Sequence, residues 1–241
     1  MRLDQNPDSP LVRRMADAIE ASIHRRLDHR LNTLDLRPDE FRNFFLGLRA
    51  ESNRALSIVS LAYAEKRMAE LWEAALNSDV DGGTKSLLNG FGPLSTPHAR
   101  IELAAGLYWL SPVIYKNLRT LRKIRNRFAH DIDDHGFDSS PIKDLLGNMH
   151  PLEKAPLEAM RETSEPAFLP TPRQTFFFRT VLTCCSMIAE LSTAPHASRL
   201  GLHPHAALRR DYEQIHPAIL NLNRAAASVI HDDALGIKEE G

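Results

Sequence analysis

The residues best suited to chemistry lie in one run, "LRKIRNRFAHD" at 121–131, where Arg122, Lys123, Arg125 and Arg127 lead to His130 and then to an aspartate. Arginine presents a planar fork of N–H donors that fits phosphate, and histidine exchanges a proton near neutral pH. The question is whether Arg125 and His130, five residues apart, can touch one ligand. A second chemistry is simpler: Arg119, Arg122, Lys123 and Arg127 could contact the phosphates of a nucleic-acid backbone. A third reading needs no ligand. Six basic residues from Lys116 to Arg127, with no acid among them and Asp131, Asp133 and Asp134 following, suit a helix C-terminus on dipole grounds alone.

The element that must position these groups is a helix. At ~100° per residue, Ile114, Leu118, Leu121, Ile124 and Phe128 share about a third of the circumference and define a buried stripe. Arg125 falls about 50° from its centre, at the edge of the core, where a guanidinium needs a partner. A continuous helix would put His130 about 140° from Arg125, so the two converge only if the helix ends or kinks at Ala129 or if two subunits pair across this face. The same wheel over 41–63 centres a buried face on Phe41, Phe44, Leu48, Ala55, Val59 and Ala62, with Glu51 roughly 60° off centre. A structural role would pair Arg125 with Glu51 or Glu102 and set His130 against the last carbonyls of its helix.

Periodicity favours helix almost everywhere, and no run of alternating β-branched residues is found. Residues 10–33 place Leu11, Met15, Ile19 and Ile23 at fourfold spacing, one amphipathic helix. A helix opening at Pro38 runs to about Leu76, with a bend expected near Gly47 or Ser52. Thr96-Pro97 and Ser111-Pro112 each pair a capping side chain with a first-turn proline, so two helices should meet at a corner there. A further start is expected at Ser140-Pro141, and "TFFFRTVLTCCSMIAELS" is a core helix. The segment from Thr193 reads as a proline-punctuated tail with one or two helices around 205–230.

Composition narrows the function classes. The chain has 241 residues, 43% hydrophobic and 25% charged, with a formal net charge of -1, so no general positive coat for nucleic acid exists. No apolar run approaches the ~20 residues that cross a bilayer, and "MRLDQNPDSP" has no apolar leader, so a cytoplasmic location and no membrane are expected. Cys184 and Cys185 are adjacent in an apolar segment and read as reduced core thiols rather than a disulfide or zinc ligands. "HDIDDH" at 130–135 could hold a divalent ion, but hydrated acidic loops are commoner, and no metal or cofactor is expected. "DGGTK" lacks phosphate-loop spacing and is a turn, and the histidine-rich 203–216 stretch has no ligand pattern.

Two resemblances are carried by quoted residues. "GFGPLSTPHARIELAAGLYWLS", then "LRTLRKIRNRFAHD", preceded by "FLGLRAESNRALSIVSLAYAEKRMAEL", resembles the mannitol operon repressor family of bacterial regulators over about 38–192. That resemblance implies an all-helical, self-associating protein in transcriptional control that acts on another protein. The "RNRFAH" portion is also similar to the arginine–polar–histidine signature of the HEPN superfamily, many of whose members are metal-independent ribonucleases. Carried over, His130 would be general acid or base, Arg125 would stabilise charge on phosphate, Asn126 would position the scissile group and Glu51 would orient Arg125.

The resulting expectation is an all-α helical bundle with an N-terminal helical extension (1–37), a core (38–192) and a partly helical tail (193–241). It is a homodimeric regulator working through a protein partner. The alternative is a metal-independent endoribonuclease of a toxin–antitoxin or defence system, with RNA as substrate and an antitoxin as partner. Sequence-specific DNA reading is not expected, because the second helix of the Thr96–Arg127 pair carries an apolar stripe that the core must take.

Overall fold

The structure is a computed structural model that describes residues 10–31, 35–130, 136–163, 168–205 and 217–236. The described residues form an all-α bundle without a strand: α1 (Pro10–Leu31), α2 (Pro38–Leu48), α3 (Asn53–Ala75), α4 (Gly83–Leu88), α5 (Pro97–Gly106), α6 (Pro112–His130), α7 (Ser140–Gly147), α8 (Lys154–Thr163), α9 (Pro172–Arg199) and α10 (Pro217–Ala234).

The two longest helices, α9 and α3, form the centre. α3 packs against α9 and α6, and α10 covers α2 and α9. α9 is long and apolar enough by composition to cross a membrane, yet 78% of its apolar window is buried inside the protein, as befits a core helix. A capping box opens α9: Thr171 Oγ1 accepts from Gln174 N–H at 3.2 Å, and Gln174 Oε1 accepts from Thr171 N–H at 3.1 Å. Cys184 and Cys185 are buried and free, and burial raises both thiols, Cys185 to about 12.

The proline-marked starts appear where the sequence puts them. Thr96 Oγ1 accepts from Ala99 N–H at 3.2 Å to open α5, and Ser111 Oγ accepts from Ile114 N–H at 3.4 Å to open α6. α7 opens at Ser140. The stripe of α6 is buried as read: Ile114, Leu118, Leu121, Ile124 and Phe128.

Three expectations are corrected. The Pro38–Leu76 helix is not bent but broken: Ser52 Oγ accepts from Ala55 N–H at 3.2 Å and starts α3 afresh. Four non-helical residues reset the phase, so Val59 and Ala62 are exposed and the buried face is Leu56, Leu61, Ala64, Met68 and Trp72. Secondly, α9 continues past Thr193 and through Pro195 to Arg199. Pro195 costs one helical hydrogen bond, but Thr193 Oγ1 donates to Ala189 O at 2.9 Å and the surrounding turn is buried, so packing holds the helix. Thirdly, the α1 stripe is not buried as a unit: Leu27 is buried and Ile23 half-buried, whereas Met15 and Ile19 are exposed. α1 touches the rest of the chain through α9, at its C-terminal half.

Candidate functional site

α6 distributes its charged residues over different neighbours. On the side of α3, Arg125 Nη2 lies 3.6 Å from Glu65 Oε1, with side chains 33% and 21% exposed. Glu65 is therefore the partner that a core-edge guanidinium requires, not Glu51 or Glu102. Glu51 lies in the break between α2 and α3, exposed, where its backbone carbonyl accepts from Arg173 Nη2 at 2.6 Å. Glu102 accepts from the Tyr115 hydroxyl at 2.8 Å and lies 3.9 Å from Arg119 Nε. The sequence carried a signal for Glu65: it sits four residues after Leu61 and three before Met68, flanking the buried face of α3 once the break resets the phase.

On the opposite side, α6 and α7 enclose a groove of about 590 Å³ lined by Lys123, Asn126, Arg127 and His130 from α6 and Pro141, Asp144, Leu145 and Asn148 from the α7 segment. Both sets follow the i, i+3, i+4, i+7 spacing of one helical face, so the groove is two ridges set against each other. α6 is helical through His130, with no early end at Ala129. Asn126 and His130 thus share the groove with Lys123 and Arg127, and Arg125 is left outside it on the α3 side. The other two candidate phosphate contacts also lie elsewhere. Arg119 donates to the Tyr115 hydroxyl at 2.9 Å and stacks over that ring at 5.5 Å, and Arg122 is half-buried outside the groove lining. The acidic 131–135 stretch considered for a metal lies outside the described residues.

Buried polar contacts fix the groove walls. Asn117, fully buried, accepts from His150 N–H at 2.7 Å and donates through Nδ2 to Thr183 Oγ1 at 3.2 Å, tying α6 to the end of the α7 segment and to α9. Arg179 of α9 grips both Glu153 oxygens at 2.8–3.0 Å and donates to Leu146 O at 2.6 Å. A bidentate, largely buried fork of this kind is the strong class of ion pair.

A second feature occupies the α4–α5 corner, around the "GFGPLS" and "GLYWLS" segments. Arg100, buried on α5, donates from Nε to Leu94 O at 2.7 Å and from Nη2 to Leu88 O at 2.9 Å and Ser95 O at 3.3 Å. Burial lowers its pKa, and the nearby Glu65 carboxylate opposes that shift. The loop closes tightly, since a Cβ on Gly92 would come within 2.3 Å of Ser86 O. Phe91 projects from this braced loop, and Leu103, Leu107 and Tyr108 are exposed on α5 and its C-terminal turn. Tyr108 is held at φ 57°, a region that a bulky side chain rarely adopts. Sequence reasoning read this stretch only as a turn and two helix starts. No local signal marked these residues as exposed, since Leu103 and Leu107, one helical turn apart, carry the spacing of a buried stripe.

No curated protein matches the chain. Among solved structures, the X-ray structure of the MtlR-HPr complex from Escherichia coli is similar at 22% identity and a TM-score of 0.44, covering 64% of this chain and 99% of that one. The stretch 75–189, which contains the braced α4–α5 corner, the whole of α6 and the α6–α7 groove, matches the family model of the mannitol repressor.

Proposed function

We propose that the chain is a cytoplasmic transcriptional regulator of the mannitol-repressor type that acts by gripping another protein rather than by reading bases. The observation that carries this reading is the set of exposed apolar side chains Phe91, Leu103, Leu107 and Tyr108 within the matched stretch, with the loop that carries Phe91 braced by Arg100. Exposed aromatic and aliphatic side chains on a rigid frame are what a protein interface needs for its anchors. The burial of the α6 stripe supports the second half of the reading, because that helix is not free to lie in a major groove. A homodimer belongs to the same proposal, with Met15 and Ile19 on α1 as the apolar face to test by sedimentation.

The test compares transcript levels in a deletion strain complemented with wild type, Phe91→Ser/Tyr108→Ser, or Lys123→Gln/Arg127→Gln. Loss of regulation by the first variant, with its helical content intact, supports the reading. Unchanged transcripts on deletion overturn it, and so does a sequence-specific DNA complex of the purified wild type at physiological salt. HPr, the partner in the E. coli complex, is the first protein to be mixed with it.

A second reading rests on the groove, which gathers Asn126, His130, Lys123 and Arg127. Two cations and an imidazole on one ridge suit an RNA phosphate, with His130 exchanging the proton of a ribose hydroxyl. Arg125, tied to Glu65, could enter only across a second subunit. Cleavage of an RNA pool in EDTA by wild type, abolished in folded His130→Ala, would establish this reading; no cleavage by wild type at high concentration would remove it.

A further inference from the structure

The corner between α5 and α6, residues 107–111, is hydrogen-bonded to the rest of the bundle through one buried carboxylate. Glu190 of α9 is 7% exposed and accepts the Ser111 N–H at 2.8 Å and a second bond from the Ser111 hydroxyl. Among the described residues, Ser111 is the corner's only hydrogen-bonded link to another part of the chain. Its other bonds run back into α5, from Trp109 N–H to Ala104 O at 2.8 Å and from Leu110 N–H to the same oxygen at 3.2 Å.

Glu190 joins no ion pair with a described residue. Charged groups on the elements around it are engaged elsewhere: Arg67 of α3 with Glu70, His98 of α5 and Arg119 of α6 with Glu102, and Arg199 of α9 with Ala75 O. Lys116 of α6 and Glu73 of α3 are exposed. A buried carboxylate held by hydrogen bonds alone is costly when ionised, and burial raises its pKa in spite of Ser111. Two further costs meet at this corner. Tyr108 is held at φ 57°, and the Trp72 indole N–H, buried where Trp72 packs on Trp109 with ring centroids 4.9 Å apart, finds no acceptor in the protein. Lifting the corner would hydrate the carboxylate and the indole and let Tyr108 leave the left-handed region.

We propose that Glu190 is a proton-operated latch on the α5–α6 corner, closed while its carboxyl is neutral and released when it ionises. A neutral carboxyl still accepts the Ser111 N–H through its carbonyl oxygen and carries no buried charge, so the closed corner holds the proton more tightly than the open one. Closure is therefore favoured at low pH and lost as pH climbs through the closed-state value. Release would move Leu107 and Tyr108, two of the exposed apolar side chains. Its effect on a partner rests on the regulatory reading; the latch itself does not.

Both tryptophans of the chain, Trp72 and Trp109, lie at this corner, so the intrinsic fluorescence of the full chain reads it directly. Emission and far-UV circular dichroism are recorded from about pH 4 to 8 on wild type and Glu190→Gln. Wild type is expected to shift to the red as pH rises, at constant helix content and with a midpoint above the ordinary carboxylate value of about 4.3, whereas the variant stays still. A flat wild-type titration, an equal shift in the variant, or a shift that tracks loss of helix would overturn the latch. Hydrogen exchange on wild type tests it without any substitution. After correction for the intrinsic rate, protection of the Ser111 amide should fall at least about tenfold between about pH 5 and 8 while the α9 amides keep theirs, and unchanged protection would overturn the latch as well.

Discussion

Single buried charges set the most specific expectations. Glu190 is buried in α9 and accepts the Ser111 N–H at 2.8 Å, and burial raises its pKa in spite of that bond. A carboxyl whose folded pKa is raised binds more protons folded than unfolded, so its contribution to stability falls as pH climbs from about 4.3 through the folded value. Glu190→Gln keeps an oxygen to accept from Ser111 and removes the titration. Urea midpoints measured between pH 4 and 7 should therefore show the variant gaining on wild type as pH rises; parallel curves would contradict the raised pKa. Arg100 is the second case. Arg100→Met leaves three loop carbonyls without their charged donor and should cost about 2–4 kcal/mol in denaturant unfolding, with the 88–95 loop exchanging its amide protons faster. Which residues were edge charges was legible in the sequence: Arg125 was placed correctly at the rim of the core. Its partner was not, because pairing across helices depends on the phase of α3, and that phase was set by a break rather than a bend.

The helices show where local rules suffice and where packing overrules them. Thr96-Pro97 and Ser111-Pro112 specified two starts by local capping chemistry alone, and the α6 stripe followed from its period. Pro195 broke the same logic, since a buried helix tolerated a residue that ends exposed ones. The α2–α3 break is held by Arg173, which donates to Asn53 Oδ1 at 2.6 Å, Arg49 O at 2.9 Å and Glu51 O at 2.6 Å. No local signal announces an arginine 120 residues away in sequence. The new phase is open to test: Leu56→Ala should cost about 2–5 kcal/mol by leaving a core cavity, whereas Val59→Ala should cost less than about 1 kcal/mol. Equal losses in thermal unfolding would restore the single-helix wheel. The candidate groove was half legible for a similar reason. Its α6 ridge was quoted from the sequence, but the α7 ridge opposite depends on Asn117 and Arg179, buried polar anchors that spacing does not reveal.

On the scale of the whole molecule, α10 packs into the bundle against α2 and α9. α10 buries Ile219, Leu222, Ala226, Val229 and Ile230 against α2 and α9, and Arg42 of α2 pairs with Asp232 at 3.1 Å. A chain ending at residue 216 should lose cooperative unfolding or aggregate, because that apolar face of α2 and α9 would be bared to water. A sharp thermal transition near that of the full chain would show instead that α10 is dispensable. The all-α class needed only periodicity, whereas the role of α10 needed knowledge of which helix it covers.

The adjacent thiols of α9 give this architecture a built-in clock. Cys184 faces the interior, while Cys185 Sγ lies 3.4 Å from Asn223 Oδ1 and 3.9 Å from Leu222 O, beneath α10. A thiol kept protonated and covered reacts with an alkylating reagent only when its cover lifts. Departure of α10 by itself would expose the second sulfur and spare the first; collapse of the bundle would expose both at once. The ratio of singly to doubly labelled chains, followed by mass over time, would thus report whether the last helix breathes separately or the molecule opens as one body.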